Sequence, residues 1–202
     1  MPTRTPSRRA KVSAALNRLG QAEQIKLLSL LLKAHPELQD EAEALAVKII
    51  TTVDPEAVAA EVVWAFQGFD QQEIWDWSGK DKVGGFVDPR RSAGAKICEE
   101  RFEPLMEALE RLISLGQMEA ALLQVKGLLN GLYRLEALVP PEAGDFPSKT
   151  GPFRVLEVWA KKAPEDLDQS LADWFSSESP VDWASDLETL WRSLRRRFRK
   201  PR

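Results

Sequence analysis

The sequence predicts an all-α fold: an irregular, solenoid-like stack of helical hairpins, with C-terminal helices packed back on the body. Three observations carry this. Apolar residues recur at three- and four-residue spacing along most of the 202 residues, the signature of a helix with one buried face. Prolines repeatedly follow a capping or polar residue and precede an acid, as in His35-Pro36-Glu37 and Asp54-Pro55-Glu56, which suits a helix start because proline's missing N–H would be unpaired there. No stretch alternates with the period of two that a half-buried strand requires.

The segment 1–20 reads as a basic lead-in, with a short helix in which Val12, Leu16 and Leu19 are in phase and Gly20 is the stop. Met1 to Gln21 is basic and free of acid, a composition shared with organelle transit peptides. Pro2 and Pro6 disfavour an N-terminal amphipathic helix, so the segment is read as disordered. A helical body is expected over 21–138. It opens with a helix from Gln21 to Ala34, in which Ile25, Leu28, Leu31 and Leu32 share a face. Leu38, Ala42, Leu45 and Ile49 make the next stripe, after His35-Pro36-Glu37. Asp54 caps a helix that points Val58, Val62, Phe66 and Phe69 inward.

Asp70-Gln71-Gln72-Glu73 resembles a capping box and opens a short helix ending near Trp77. A loop over Ser78 to Val87 precedes a further helix at Asp88-Pro89, where Pro104 predicts a kink or a fresh start. Leu105, Leu109, Leu112 and Ile113 then form a stripe stopped by Gly116, and Met118, Leu122, Val125, Leu129 and Leu132 form the next. So short a break predicts an antiparallel hairpin over 105–115 and 118–137. Gly127 and Gly131, four apart, predict a flat surface approached closely by another helix, since each costs ~1 kcal/mol relative to alanine.

Residues 139–151 hold three prolines and two glycines and read as a linker. Beyond it, 152–202 reads as three helices near 153–162, 165–176 and 181–199, with four of the seven tryptophans: Trp159, Trp174, Trp183 and Trp191. So large an aromatic content in 51 residues predicts packing against the body or against a second copy.

The formal charge of −3 hides a polarity. Residues 1–11 hold four basic residues and 192–202 hold seven, with no acid in either, while the body between carries 17 basic residues against 31 acidic ones. The C-terminal set Arg192, Arg195, Arg196, Arg197, Arg199, Lys200 and Arg202 is the candidate contact for an anionic partner, nucleic-acid phosphates or lipid headgroups. The same residues would also complement the negative end of their own helix or the acidic body.

The residue types that carry most chemistry are scarce. There is one histidine, His35, one cysteine, Cys98, and one tyrosine, Tyr133. One His and one Cys cannot build an ordinary zinc site from one chain, and the Glu-x-x-His pattern of helical di-iron sites does not occur. Ser78-Gly79-Lys80 and Gly84-Gly85 lack the Walker spacing and read as a turn. Gly-x-Ser-x-Gly is missing. Glu99, Glu100 and Glu103 read as a solvated helix face, and Trp75 and Trp77 beside Lys80 and Lys82 as core packing ahead of a base-stacking surface. Cys98, beside two acids, reads as a buried and inert thiol, and a single cysteine suits a reducing compartment. No catalytic residue, metal ligand or cofactor is assigned, and no run is apolar and long enough to cross a membrane.

Leu19-Gly20-Gln21-Ala22-Glu23-Gln24-Ile25-Lys26-Leu27-Leu28, continuing to His35-Pro36-Glu37-Leu38, resembles the opening of helical regions in uncharacterised bacterial proteins, some accompanying SWIM-type zinc fingers. Leu109 to Tyr133, with Ser114-Leu115-Gly116-Gln117 at the turn, resembles their later helix pair. The resemblance covers about a third of the chain and implies a bacterial, cytoplasmic, solenoid-like protein. The zinc finger's own cysteines and histidines are missing, so it implies no metal or DNA-binding role. The expected function is a non-enzymatic helical scaffold or protein-interaction module with a protein partner, homo-oligomerisation being open. A nucleic-acid-associated protein using the arginine cluster is the alternative, followed by an enzyme with dispersed carboxylates.

Overall fold

The computed structural model describes residues 19–69, 71–78 and 89–198. Among them the chain is all-α, without a strand. In order, the α-helices are α1 (Gln21–Ala34), α2 (Gln39–Thr51), α3 (Pro55–Ala65), α4 (Gln71–Ser78), α5 (Pro89–Ser114), α6 (Met118–Glu136), α7 (Gly151–Lys162), α8 (Glu165–Ser177) and α9 (Val181–Phe198). A short helix expected around Val12 and Leu16, and the loop expected after Ser78, fall outside the described residues. The chain divides into two compact units, residues 1–49 and 50–202.

In the first unit, Gly20 N–H donates to Glu23 Oε2 at 2.9 Å and starts α1. His35 ends it, and Pro36–Leu38 form a 3₁₀ turn that leads into α2. The expected helix start at Pro36 is thus a tighter turn first, with the α-helix following from Gln39.

The second unit holds the core, centred on α6. Eleven of its residues are buried, among them Leu128, Leu129, Leu132 and both glycines. α3 crosses α6 closely, because Gly127 and Gly131 present no side chain to it. A Cβ on Gly127 would lie 2.6 Å from Val58 Cβ, and one on Gly131 would lie 2.5 Å from Val62 Cβ. Asp54 caps α3 by accepting from Glu56 N–H at 3.0 Å. At the exposed edge of the crossing, Arg134 donates to both oxygens of Glu56, at 2.6 and 2.8 Å. That hydrogen bond holds the Glu56 carboxyl below its ordinary range.

Gly116 (φ +71°) turns α5 back into α6, as the two stripes predict. Gln117 N–H reaches Leu112 O at 2.9 Å, and Gly116 N–H reaches Ile113 O at 3.0 Å, which satisfies the last carbonyls of α5. Pro104 does not restart the helix: α5 runs through it. Pro104 and Glu100 both lie on the exposed face, where water can satisfy the carbonyl that proline leaves without a donor.

Residues 139–151, expected as a linker, are part of this core. Pro141–Ala143 form a 3₁₀ turn and Phe146–Thr150 a π-type turn, and Ala143, Phe146, Pro147 and Gly151 are buried. Phe146 meets Phe102 edge-on at 5.6 Å and Phe66 at 6.0 Å. Glycine permits the approach from both sides: a Cβ on Gly94 of α5 would stand 2.2 Å from Glu142 O, and one on Gly151 would stand 2.8 Å from Leu132 Cδ2.

The C-terminal helices pack back on the body. Trp159, Trp174, Trp183 and Trp191 are all buried. α9 lies against α7 and α8, and α7 against α6. Within this unit α6 meets α3 as well as its sequence neighbours α5 and α7, so the helices surround one central member. A solenoid would leave each repeat touching only the next.

Candidate functional site

The apolar residues expected on α1 and α2 are not buried within their own unit. Neither helix has a buried residue. Ile25 is 60% exposed, Leu28 54%, Leu31 47%, Leu45 52% and Ile49 75%. Burying one leucine is worth about 1.5–3 kcal/mol, so each of these side chains would gain by being covered.

A second feature is a concave site of about 750 Å³ in the second unit. Its walls come from the C-terminal end of α6, the turn at 148–150, the first turn of α7 and one face of α9. Pro152, Phe153, Trp183, Leu187 and Leu190 supply the apolar lining. Glu136, Asp182 and Asp186 supply carboxylates. On α9 the four-residue spacing of Asp182, Asp186 and Leu190 puts them on one stripe, beside the buried Trp183 and Leu187. Trp183 is fixed twice: its Nε1–H donates to Glu136 Oε2 at 3.1 Å, and its ring meets Tyr133 edge-on at 5.4 Å. Lys149 also reaches the site, but its ammonium pairs with Asp145 at 2.7 Å, a hydrogen bond that raises its pKa.

The C-terminal arginines are divided in their use. Arg195 Nε lies 3.1 Å from Oδ2 of Asp168, a carboxylate only 3% exposed. Arg192 pairs with Glu188 one turn back. Arg196 donates from Nε to Arg192 O at 3.4 Å, and the Arg197 guanidinium lies 5.2 Å from the Phe198 ring centre. Both are exposed. Arg199, Lys200 and Arg202 lie outside the described residues.

Arg101 is a structural cation that sequence pattern did not single out. It donates to Ala65 O and Gln67 O at 3.0 and 3.1 Å, closing the end of α3, and to Glu73 of α4 at 2.6 Å. Its guanidinium also covers Phe69 at 5.6 Å. One side chain of α5 thereby ties down two preceding helices.

The remaining sequence candidates are placed as follows. His35 is half-exposed, with Nδ1 3.1 Å from Glu37 Oε1. Glu99, Glu100 and Glu103 are exposed along α5, Glu103 pairing with Arg154. Trp75 is 53% exposed; the Trp77 side chain, Lys80 and Lys82 lie outside the described residues. No group of three or more His, Cys, Asp or Glu poised to hold a metal occurs among the described residues. No helix among them is long and apolar enough to cross a membrane.

Cys98 is fully buried in the core. Burial pushes its thiol up to about 12 from an ordinary 9.0; Arg101 works against this, and Glu73 and Glu99 add to it. The sequence reading rested on neighbouring acids, whereas desolvation is the larger cause. Because the thiolate is the nucleophile, folded protein at pH 8 should resist iodoacetamide while urea-unfolded protein reacts fully. Mass spectrometry checks this, and rapid labelling of the folded chain would contradict the burial.

Compared with known proteins, the chain matches no family model, no curated protein and no solved structure.

Proposed function

We propose that this protein is a non-enzymatic helical interaction module whose contact surface is the apolar face of α1 and α2. The observation that carries the reading is that both helices are amphipathic and bury nothing, while every other long helix buries its stripe. Segments of this kind bind by laying spaced apolar anchors into a partner's groove or against a second amphipathic helix. A cytoplasmic setting belongs to the same proposal, since the one cysteine is a free thiol.

The test is Leu28→Glu combined with Leu31→Glu. Both leucines are about half exposed, so helicity and the urea midpoint should hold. Two leucines desolvated at an interface contribute about 3 kcal/mol, so partner affinity should fall about 100-fold or more. Cross-linking in the native host identifies the partner, and light scattering detects a second copy in that role. Undiminished association by the double variant removes the reading.

A further inference from the structure

We propose that the concave site between α6, α7 and α9 binds an organic cation: an amine or guanidine group carried on an apolar body. The inference is independent of the interaction surface on α1 and α2, and either can fail alone.

Size, lining and charge point the same way. At about 750 Å³ the cavity falls within the ~300–1,000 Å³ of small-molecule sites. Part of its lining is apolar and anchored, because Trp183 is held by Glu136 and Tyr133. The charged groups around that lining are three carboxylates and one ammonium. The ammonium, Lys149, is already neutralised by Asp145, which leaves the acids in excess. Asp182 and Asp186 have no ion-pair partner among the described residues.

Helix electrostatics sharpen the argument. The N-terminal end of α9 would by itself favour an anion, but Asp182 already occupies its first turn. Glu136 is the last residue of α6, the negative end of that helix, where a carboxylate is disfavoured and a cation is favoured. Among the described residues its hydrogen-bond donor is the neutral indole of Trp183, so its charge remains available to a ligand. The body's excess of acid, 31 against 17 basic residues, adds a long-range field that draws cations in.

A matched probe set tests this on the full chain: 4-phenylbutylamine, 4-phenyl-1-butanol and 4-phenylbutyrate share an apolar body and differ in head charge. Binding is followed by the indole N–H resonance of Trp183, assigned with Trp183→Phe, and by calorimetry. The amine should bind about 10-fold more tightly than the alcohol and more tightly still than the acid, with the preference shrinking as salt is raised. Asp182→Asn with Asp186→Asn should cut most of the preference, Glu136 keeping the remainder, while leaving the alcohol's affinity unchanged, and Phe153→Ala should weaken all three. Both aspartates are exposed, so the fold should survive. Equal binding of amine and alcohol, tighter binding of the acid, or no shift of the Trp183 resonance overturns the proposal. So does an amine preference undiminished in the double Asn variant, which would trace it to the acidic body at large.

Discussion

Gly131→Leu should destabilise the second unit by about 1–3 kcal/mol, toward the upper end of what overpacking usually costs. The first atom of the new side chain already has no room: a Cβ would lie 2.5 Å from Val62 Cβ, 2.7 Å from Val62 Cγ2 and 3.0 Å from Ala59 O. Val62 is fully buried and β-branched, so it has no alternative rotamer into which to retreat. The backbone of α3 must shift instead, which disturbs Val58 against Gly127 one turn away. Gly131→Ala isolates the effect. Alanine gains ~1 kcal/mol of helix propensity, yet should still destabilise, because its Cβ meets the same atoms. Val62→Ala should offset part of that loss, so the two substitutions should couple favourably in a double-mutant cycle. Urea midpoints measure all three. A Gly131→Ala midpoint at or above that of the wild type would mean that α3 and α6 do not cross here.

That crossing was legible because glycine spacing inside a helix is costly and needs a compensating contact. The tryptophan-rich C-terminus was legible for a related reason: Trp159, Trp174, Trp183 and Trp191 carry too much apolar area to stay in water. Other features were hidden by ambiguity in the same signals. Proline and glycine at 139–151 read as a linker, yet here proline opens short helical turns and Gly151 admits Leu132. Periodicity shows that α1 and α2 have an apolar face and cannot say whether anything covers it; Ile25 and Val62 look alike in sequence and are 60% and 0% exposed. The cavity beside Trp183 joins residues from 136 to 190. No local pattern announces such a site, because Glu136 and Asp186 become neighbours only after α6 and α9 have packed. Arg101 was missed for the same reason, its partners lying 28 to 36 residues away.

The C-terminal cluster shows what a charge run alone leaves undecided. Removal of Arg195 should cost stability, whereas removal of Arg196 and Arg197 should not. Arg195 faces Asp168, which is buried within the α8 face that also buries Leu171 and Trp174. Truncating one partner of a fully buried pair typically costs ~3–5 kcal/mol, because the other charge stays behind in a dry site. Arg195 keeps 45% of its side chain in water, so solvent screens the pair, and Arg195→Ala should cost about 1–3 kcal/mol. Asp168→Asn, placed in the Arg195→Ala background, should recover part of it by removing the buried charge. Arg196→Ala with Arg197→Ala should shift stability in urea by less than about 0.5 kcal/mol, as expected for exposed side chains without an ion pair among the described residues. On the nucleic-acid reading, the same double variant should weaken DNA binding and lower its salt slope by about one per lost phosphate contact. Deleting 195–202 therefore mixes two effects, and only the separate variants tell them apart. A stable Arg195→Ala chain would show that Asp168 is satisfied without it and return all seven basic residues to the search for an anionic partner.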